Sequence, residues 1–190
     1  CTVCVAHWLW SEIHRAVEFS DWAIRDFLAE ASREPWFENT VFVFVADHGA
    51  KINPVYEMDL NYNHIPLIFY SPKSDFPHER SRAMGIQADL FPTLMGLLGM
   101  GYANNTLAID LRRETRPFAF FTADTKFGVV GEDYFYQELS PDMRGLYAYR
   151  NSSRANEIAS QRGLADSMAN YARIQFEVLN MMIRRKLVAN

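Results

Sequence analysis

The feature that most constrains this 190-residue chain is the unbroken apolar run Val41 to Ala46, followed at once by Asp47-His48-Gly49. The run is rich in β-branched and aromatic residues and has no polar alternation, so it reads as a strand buried on both faces. Before it, Ile13, Ala16, Val17, Ala23, Ile24, Phe27, Leu28 and Ala31 recur at helical spacing between about Ser11 and Arg33. Pro35 stops that helix. A helix leading into a covered strand is the signature of an α/β layer fold.

Downstream, the chain is polar and irregular as far as Asn63, and a second apolar run, Ile65 to Tyr70, ends at Ser71-Pro72. Lys73 to Arg82 reads as a loop. Gln87 to Leu98 reads as a helix with Pro92 near its first turn, closed by Gly99 and Gly101. Pro117 to Phe121, Phe127 to Val130, Tyr134 to Glu138 and Gly145 to Tyr149 are short and aromatic, with turn signals between them, which predicts a small antiparallel meander. Leu164 to Leu187 is a last amphipathic helix, and Arg184, Arg185 and Lys186 suit its C-terminal dipole. The whole reads as one compact unit.

About half the residues are apolar, and a chain of this length buries roughly 70% of its extended surface. The net charge of −4 carries no basic footprint, so nucleic acid is not an expected partner. The two cysteines, Cys1 and Cys4, exclude a disulfide scaffold and read as an incidental pair. No run reaches the roughly 20 apolar residues of a membrane-spanning helix. The chain starts with Cys rather than Met, so an upstream segment is expected, and any membrane anchor would lie there.

Ligands of α/β sheets bind beyond the carboxyl ends of the strands. Asp47 and His48 stand at such an end and offer a hard oxygen and an imidazole nitrogen, a pair suited to Zn²⁺, Mn²⁺ or a similar ion. Consecutive strand residues point to opposite faces; a turn at Gly49 would let both side chains approach one cavity. The competing reading is a hydrophilic turn in which Asp47 caps the next segment.

Four motifs bear on that choice. They are Ser20-Asp21-Trp22-Ala23-Ile24-Arg25-Asp26-Phe27-Leu28; Asn39-Thr40 with Asp47-His48-Gly49; His64-Ile65-Pro66-Leu67-Ile68-Phe69-Tyr70-Ser71-Pro72; and Gln87-Ala88-Asp89-Leu90-Phe91-Pro92-Thr93-Leu94 through Gly99. In this order the chain resembles the sulfatase family of the alkaline phosphatase superfamily. It is most similar to the branch of lipoteichoic acid synthases and phosphoglycerol transferases. The resemblance is good over about residues 15 to 112 and weaker beyond, where Leu146-Tyr147-Ala148-Tyr149 sits like the family's closing strand. Ala108 stands where the family has Gly, which leaves the register of that stretch open.

The resemblance implies an α/β fold, a three-layer alkaline-phosphatase-like sheet flanked by helices, with a small antiparallel C-terminal meander and a terminal helix. Residues 1–190 would be the C-terminal half of the catalytic domain. Asp47 and His48 would be metal ligands for one divalent ion, with Mn, Zn, Mg and Ca not distinguished. An acidic ligand and a Ser, Thr or modified Cys nucleophile would complete the site from the upstream half. No residue here is assigned as catalytic: Thr2 makes no convincing nucleophile, and Glu12 and Glu18 read as surface groups. His64 is a candidate for substrate contact, beside the reading of a hydrogen-bonded structural histidine. Lys51, Arg80 and Arg82 read as solvated charges, Gln87 and Asp89 as structural groups, and His7, His14 and His78 as ordinary.

The implied activity is metal-dependent cleavage or transfer of a phosphoester or sulfate ester. The substrate would be anionic, with linkage to a lipid or glycan left open, and the domain would face outward from the cell membrane. The lack of a second ligand cluster favours a one-metal transferase-like site over a two-metal phosphatase. The alternative is a catalytically silent relative serving as a binding or regulatory module.

Overall fold

The helix predicted from Ser11 begins earlier. In the computed structural model, which describes residues 2–73 and 76–187 with side chains from residue 14 onward, α1 spans Thr2–Ala31. Its end tightens as Ser32 N donates to Leu28 O and Arg33 N to Glu30 O, so Pro35, which has no N–H to give, falls in the turn that follows. Cys1, and the side chains of Thr2, Cys4, His7 and Glu12, lie outside the described residues.

The chain divides into two compact units where the sequence reads as one: Cys1–Phe44 with Ile68–His78, and Val45–Leu67 with Glu79–Asn190. The physical reason is that the buried clusters are separate. In the first unit Ala31, Phe37 and Phe42 form the core, with Leu28 and Phe44 against it. Phe42 is its hub, with ring contacts to Phe27, Trp36, Phe37 and Tyr70 at 5.4–6.3 Å. Elsewhere on the described part of α1 apolar side chains are exposed, Val17 at 64% and Phe27 at 51%. The Asn-Thr pair closes the turn before the strand: Thr40 Oγ1 donates to Trp36 O at 2.8 Å, and Asn39 Oδ1 accepts from Lys73 Nζ.

Strand β1 spans Phe42–Val45 and β2 spans Leu67–Tyr70, and they form a two-stranded sheet. Both are shorter than the apolar runs that encode them. β1 was expected to be covered on both faces. Only Phe42 is buried, while Val45, Ile68 and Tyr70 are exposed, because among the described residues β1 and β2 pair only with each other.

The second unit is built on an antiparallel meander in the order β3-β4-β5-β6: Ala119–Ala123, Lys126–Val130, Phe135–Ser140 and Met143–Tyr147. Helix α4, Arg162–Arg184, packs on it. Ala165, Ala169 and Ala172 recur at helical spacing around Met168 and let that helix come close to Val129, Tyr136 and Leu146. The predicted meander and closing helix are thus present, with shifts of a few residues at their ends.

β5 is buried from Phe135 to Glu138, because something also covers its other face. Tyr56 and Met58 pack there against Phe135. Tyr56 Oη donates to Ser153 O at 2.7 Å, and Met58 N donates to Gln137 Oε1 at 3.1 Å. The stretch after Gly49 was expected to be irregular and polar. It is irregular, yet Tyr56 and Met58 are 8% and 4% exposed, so it is pinned to the meander.

Helix α3, Leu90–Leu98, follows a 3-10 turn at Gln87–Asp89 and stops at Gly99, whose φ of 64° is left-handed. Asp89 is fully buried. It accepts from Ile86 N at 2.7 Å and Ile109 N at 2.8 Å, and pairs with Arg116. Leu111 N donates to Thr93 Oγ1 at 3.1 Å. The motif Gln-x-Asp-x-x-Pro-Thr therefore fastens the 108–116 loop to α3, the structural role the sequence assigns to Asp89. Ala108 is buried in that loop.

Candidate metal-binding pair

At the end of β1, Asp47 and His48 face each other. His48 Nε2 lies 3.5 Å from Asp47 Oδ2, and the His48 backbone N–H donates to Asp47 Oδ1 at 2.8 Å. His48 Nδ1 lies 2.9 Å from Gly49 O. A carbonyl oxygen only accepts, so a hydrogen bond here is donated by Nδ1, and Nε2 faces Asp47. Two ligands each about 2.0–2.2 Å from a tetrahedral ion stand roughly 3.3–3.6 Å apart. The spacing of Nε2 and Oδ2 fits one edge of such a site.

The pair is open: the Asp47 and His48 side chains are 87% and 51% exposed. The expected cavity is not closed around them, and no group of three or more His, Cys, Asp or Glu is gathered among the described residues. The residues present therefore fit two ligands of a divalent ion, and further ligands would have to come from elsewhere.

Gly49 serves a different purpose from the one expected. Its φ is not positive. A Cβ there would stand 2.1 Å from Asn61 O and 3.6 Å from Tyr62 Cα, so glycine is required by close backbone approach. Gly49 N donates to Tyr62 O at 2.8 Å across that contact. The partner segment is the short helix α2, Leu60–Asn63, capped by Asp59, whose Oδ1 accepts from Asn61 N at 2.9 Å. Gln87 Nε2 donates to Ala46 O at 3.1 Å and holds the residue before Asp47.

His64 closes α2, its N–H donating to Leu60 O at 2.8 Å. Its side chain is exposed, and it follows Tyr62 by two residues. Tyr62 stacks on His48 with ring centroids 4.5 Å and planes 18° apart. Lys51 Nζ lies 4.7 Å from the same ring. Lys51 also lines a cleft of about 450 Å³ with Tyr56, Asp59, Gln137, Tyr147 and Arg154. Arg80, Arg82 and His78 are exposed.

The fold built from these elements is shared with solved structures. An alkaline phosphatase superfamily protein from Vibrio parahaemolyticus aligns over 92% of this chain at 20% identity, with a TM-score of 0.68. Phosphonate monoester hydrolase from Silicibacter pomeroyi aligns over 86% at 19% identity and 0.57. A third protein, solved in complex with its substrate D-glucosamine-2-N,6-O-disulfate, aligns over 84% at 17% identity and 0.61. The mixed α/β architecture is the one these neighbours share. Residues 11–100 match the sulfatase family.

The sulfatase match encloses Asp47, His48, Lys51, Tyr62, His64 and Asp89. This chain spans 42%, 38% and 38% of the three structures, so those chains are more than twice as long. Sequence reasoning named Asp47, His48 and His64 but missed Tyr62. Only its place two residues before the His64-Ile65-Pro66 motif could have pointed to it, and an aromatic there reads equally well as packing.

Proposed function

We propose that this chain contributes part of a divalent-metal centre to an enzyme acting on a sulfate or phosphate ester. Asp47 Oδ2 and His48 Nε2 would hold the ion. When bound, such an ion lowers the pKa of a ligated hydroxyl and offsets the negative charge developing on the sulfuryl or phosphoryl group. The observation that carries this reading is the 3.5 Å approach of the two donor atoms with Nδ1 engaged elsewhere. Support for the ester chemistry comes from the sulfatase match, the phosphonate monoester hydrolase and the structure with a disulfated glucosamine substrate.

In this reading His64 contacts the anionic substrate from the end of α2, beside Tyr62. The order of the four sequence motifs extends the proposal to the lipoteichoic acid synthase and phosphoglycerol transferase branch. There an alcohol on a lipid or glycan, rather than water, accepts the group, and the domain works outside the cytoplasm. Among the described residues no helix is long and apolar enough to cross a membrane. No residue of the chain is assigned as the nucleophile.

Turnover of an aryl sulfate and an aryl phosphate by the complete protein, before and after chelation, tests the proposal. Activity on at least one ester should vanish with chelator and return with Zn²⁺ or Mn²⁺. Asp47→Ala and His48→Ala should lower it by at least about 100-fold, the upper end of what loss of an outer-shell partner costs. His64→Ala should chiefly raise KM. Turnover indifferent to chelator and to both ligand substitutions would refute it.

A further inference from the structure

We infer that Tyr62 is a positioning residue, which holds the His48 imidazole with Nε2 toward Asp47 and keeps the Lys51 ammonium against the same ring. The inference rests on the metal-binding reading given above and adds to it a residue that touches His48 through its ring.

His48 lies beyond the end of β1, and its side chain is half exposed. An imidazole in that position turns freely about its side-chain bonds unless something selects one rotamer. Two contacts do so here: the Nδ1 contact with Gly49 O at 2.9 Å and the stack on Tyr62 at 4.5 Å and 18°. The first ties Nδ1 to the backbone. The second fixes the ring plane.

The Tyr62 ring can serve as a reference because its backbone is fixed three times. Gly49 N donates to Tyr62 O, a Cβ at position 49 would overlap Asn61 O, and α2 is tied at both ends to Asp59, through Asn61 N and through Asn63 Nδ2 to Asp59 O at 2.8 Å. The phenol is half buried while both groups that rest on it are exposed. Lys51 Nζ, 4.7 Å from the ring centroid, makes a cation–π contact. One aromatic side chain thus gathers an imidazole for the cation and an ammonium suited to an ester's anionic oxygens.

The test uses the metal-free protein first. Protons of the His48 ring and of the Lys51 side-chain end should be shifted upfield by the Tyr62 ring current in NMR spectra. The shift should persist in Tyr62→Phe, which keeps the ring, and be lost in Tyr62→Leu. Zinc titration then reads the consequence. Tyr62→Phe should bind within twofold of wild type and Tyr62→Leu about tenfold or more weakly, as for loss of an orienting partner.

Absence of the upfield shift in wild type overturns the inference, whether or not Tyr62→Leu folds. So does a Tyr62→Leu protein that binds zinc as wild type does. If the shift is present in wild type and lost in Tyr62→Leu while neither binds zinc, Tyr62 holds His48 as inferred and the metal-centre reading falls instead.

Discussion

Arg116 and Asp89 form a buried ion pair, with side chains 6% and 0% exposed. Asp89 also takes the backbone N–H groups of Ile86 and Ile109, so its carboxylate is fully engaged. Breaking a buried pair by removing one partner leaves an uncompensated charge and costs about 3–5 kcal/mol. Asp89→Ala should destabilise the protein by that amount in urea unfolding. Asp89→Asn should cost less, since an amide oxygen can still accept from the backbone. An Asp89→Ala protein of wild-type stability would mean that the 108–116 loop is not fastened in this way.

Gly49→Ala should act on the site and on stability together. The added methyl would meet Asn61 O at 2.1 Å, and backbone has little freedom to give way. Overpacking of this kind costs about 1–3 kcal/mol, and relief by separating the two segments would draw Tyr62 away from His48. Expected results are a lower unfolding midpoint and weaker zinc binding. Unchanged values for both would show that the approach of residue 49 to α2 is not required.

Tyr136 makes stability sensitive to high pH. Its hydroxyl donates to Glu138 Oε2 at 2.7 Å in a position 1% exposed, with Arg173 on the same carboxylate. Burial, and then the hydrogen bond to Glu138, push its pKa well above the ordinary tyrosine value. The folded state therefore binds this proton more tightly than the unfolded state. The stabilisation is full below the unfolded value of about 10 and is lost as pH rises from there toward the folded value. Tyr136→Phe should cost about 1–2 kcal/mol at pH 7. The gap to wild type should narrow above about pH 10, measured by urea unfolding across pH 7 to 11. A constant gap would contradict the assignment.

What the sequence revealed follows from how local each signal is. The meander and α4 were readable because short aromatic runs between turn residues, and apolar residues at helical spacing, reflect contacts within neighbouring segments. The pair Asp47 and His48 stood out because two charged-type residues in succession follow an apolar strand. Tyr62 was not, since its partner His48 lies across a loop and the contact depends on Gly49 meeting α2. The burial of Tyr56 and Met58 was hidden for the same reason: their partners on β5 are about 80 residues away. The coverage expected for β1 failed because an apolar run records what a strand needs, and the described residues cover only part of it.

Metal content of the purified complete protein tests the central claim most directly. Wild type, Asp47→Ala and His48→Ala would be equilibrated with Zn²⁺ or Mn²⁺, freed of excess, and measured by inductively coupled plasma mass spectrometry. The account predicts about one ion per wild-type molecule, as for a single catalytic site, and almost none in either variant. Equal metal in all three proteins, or none in wild type, would contradict it.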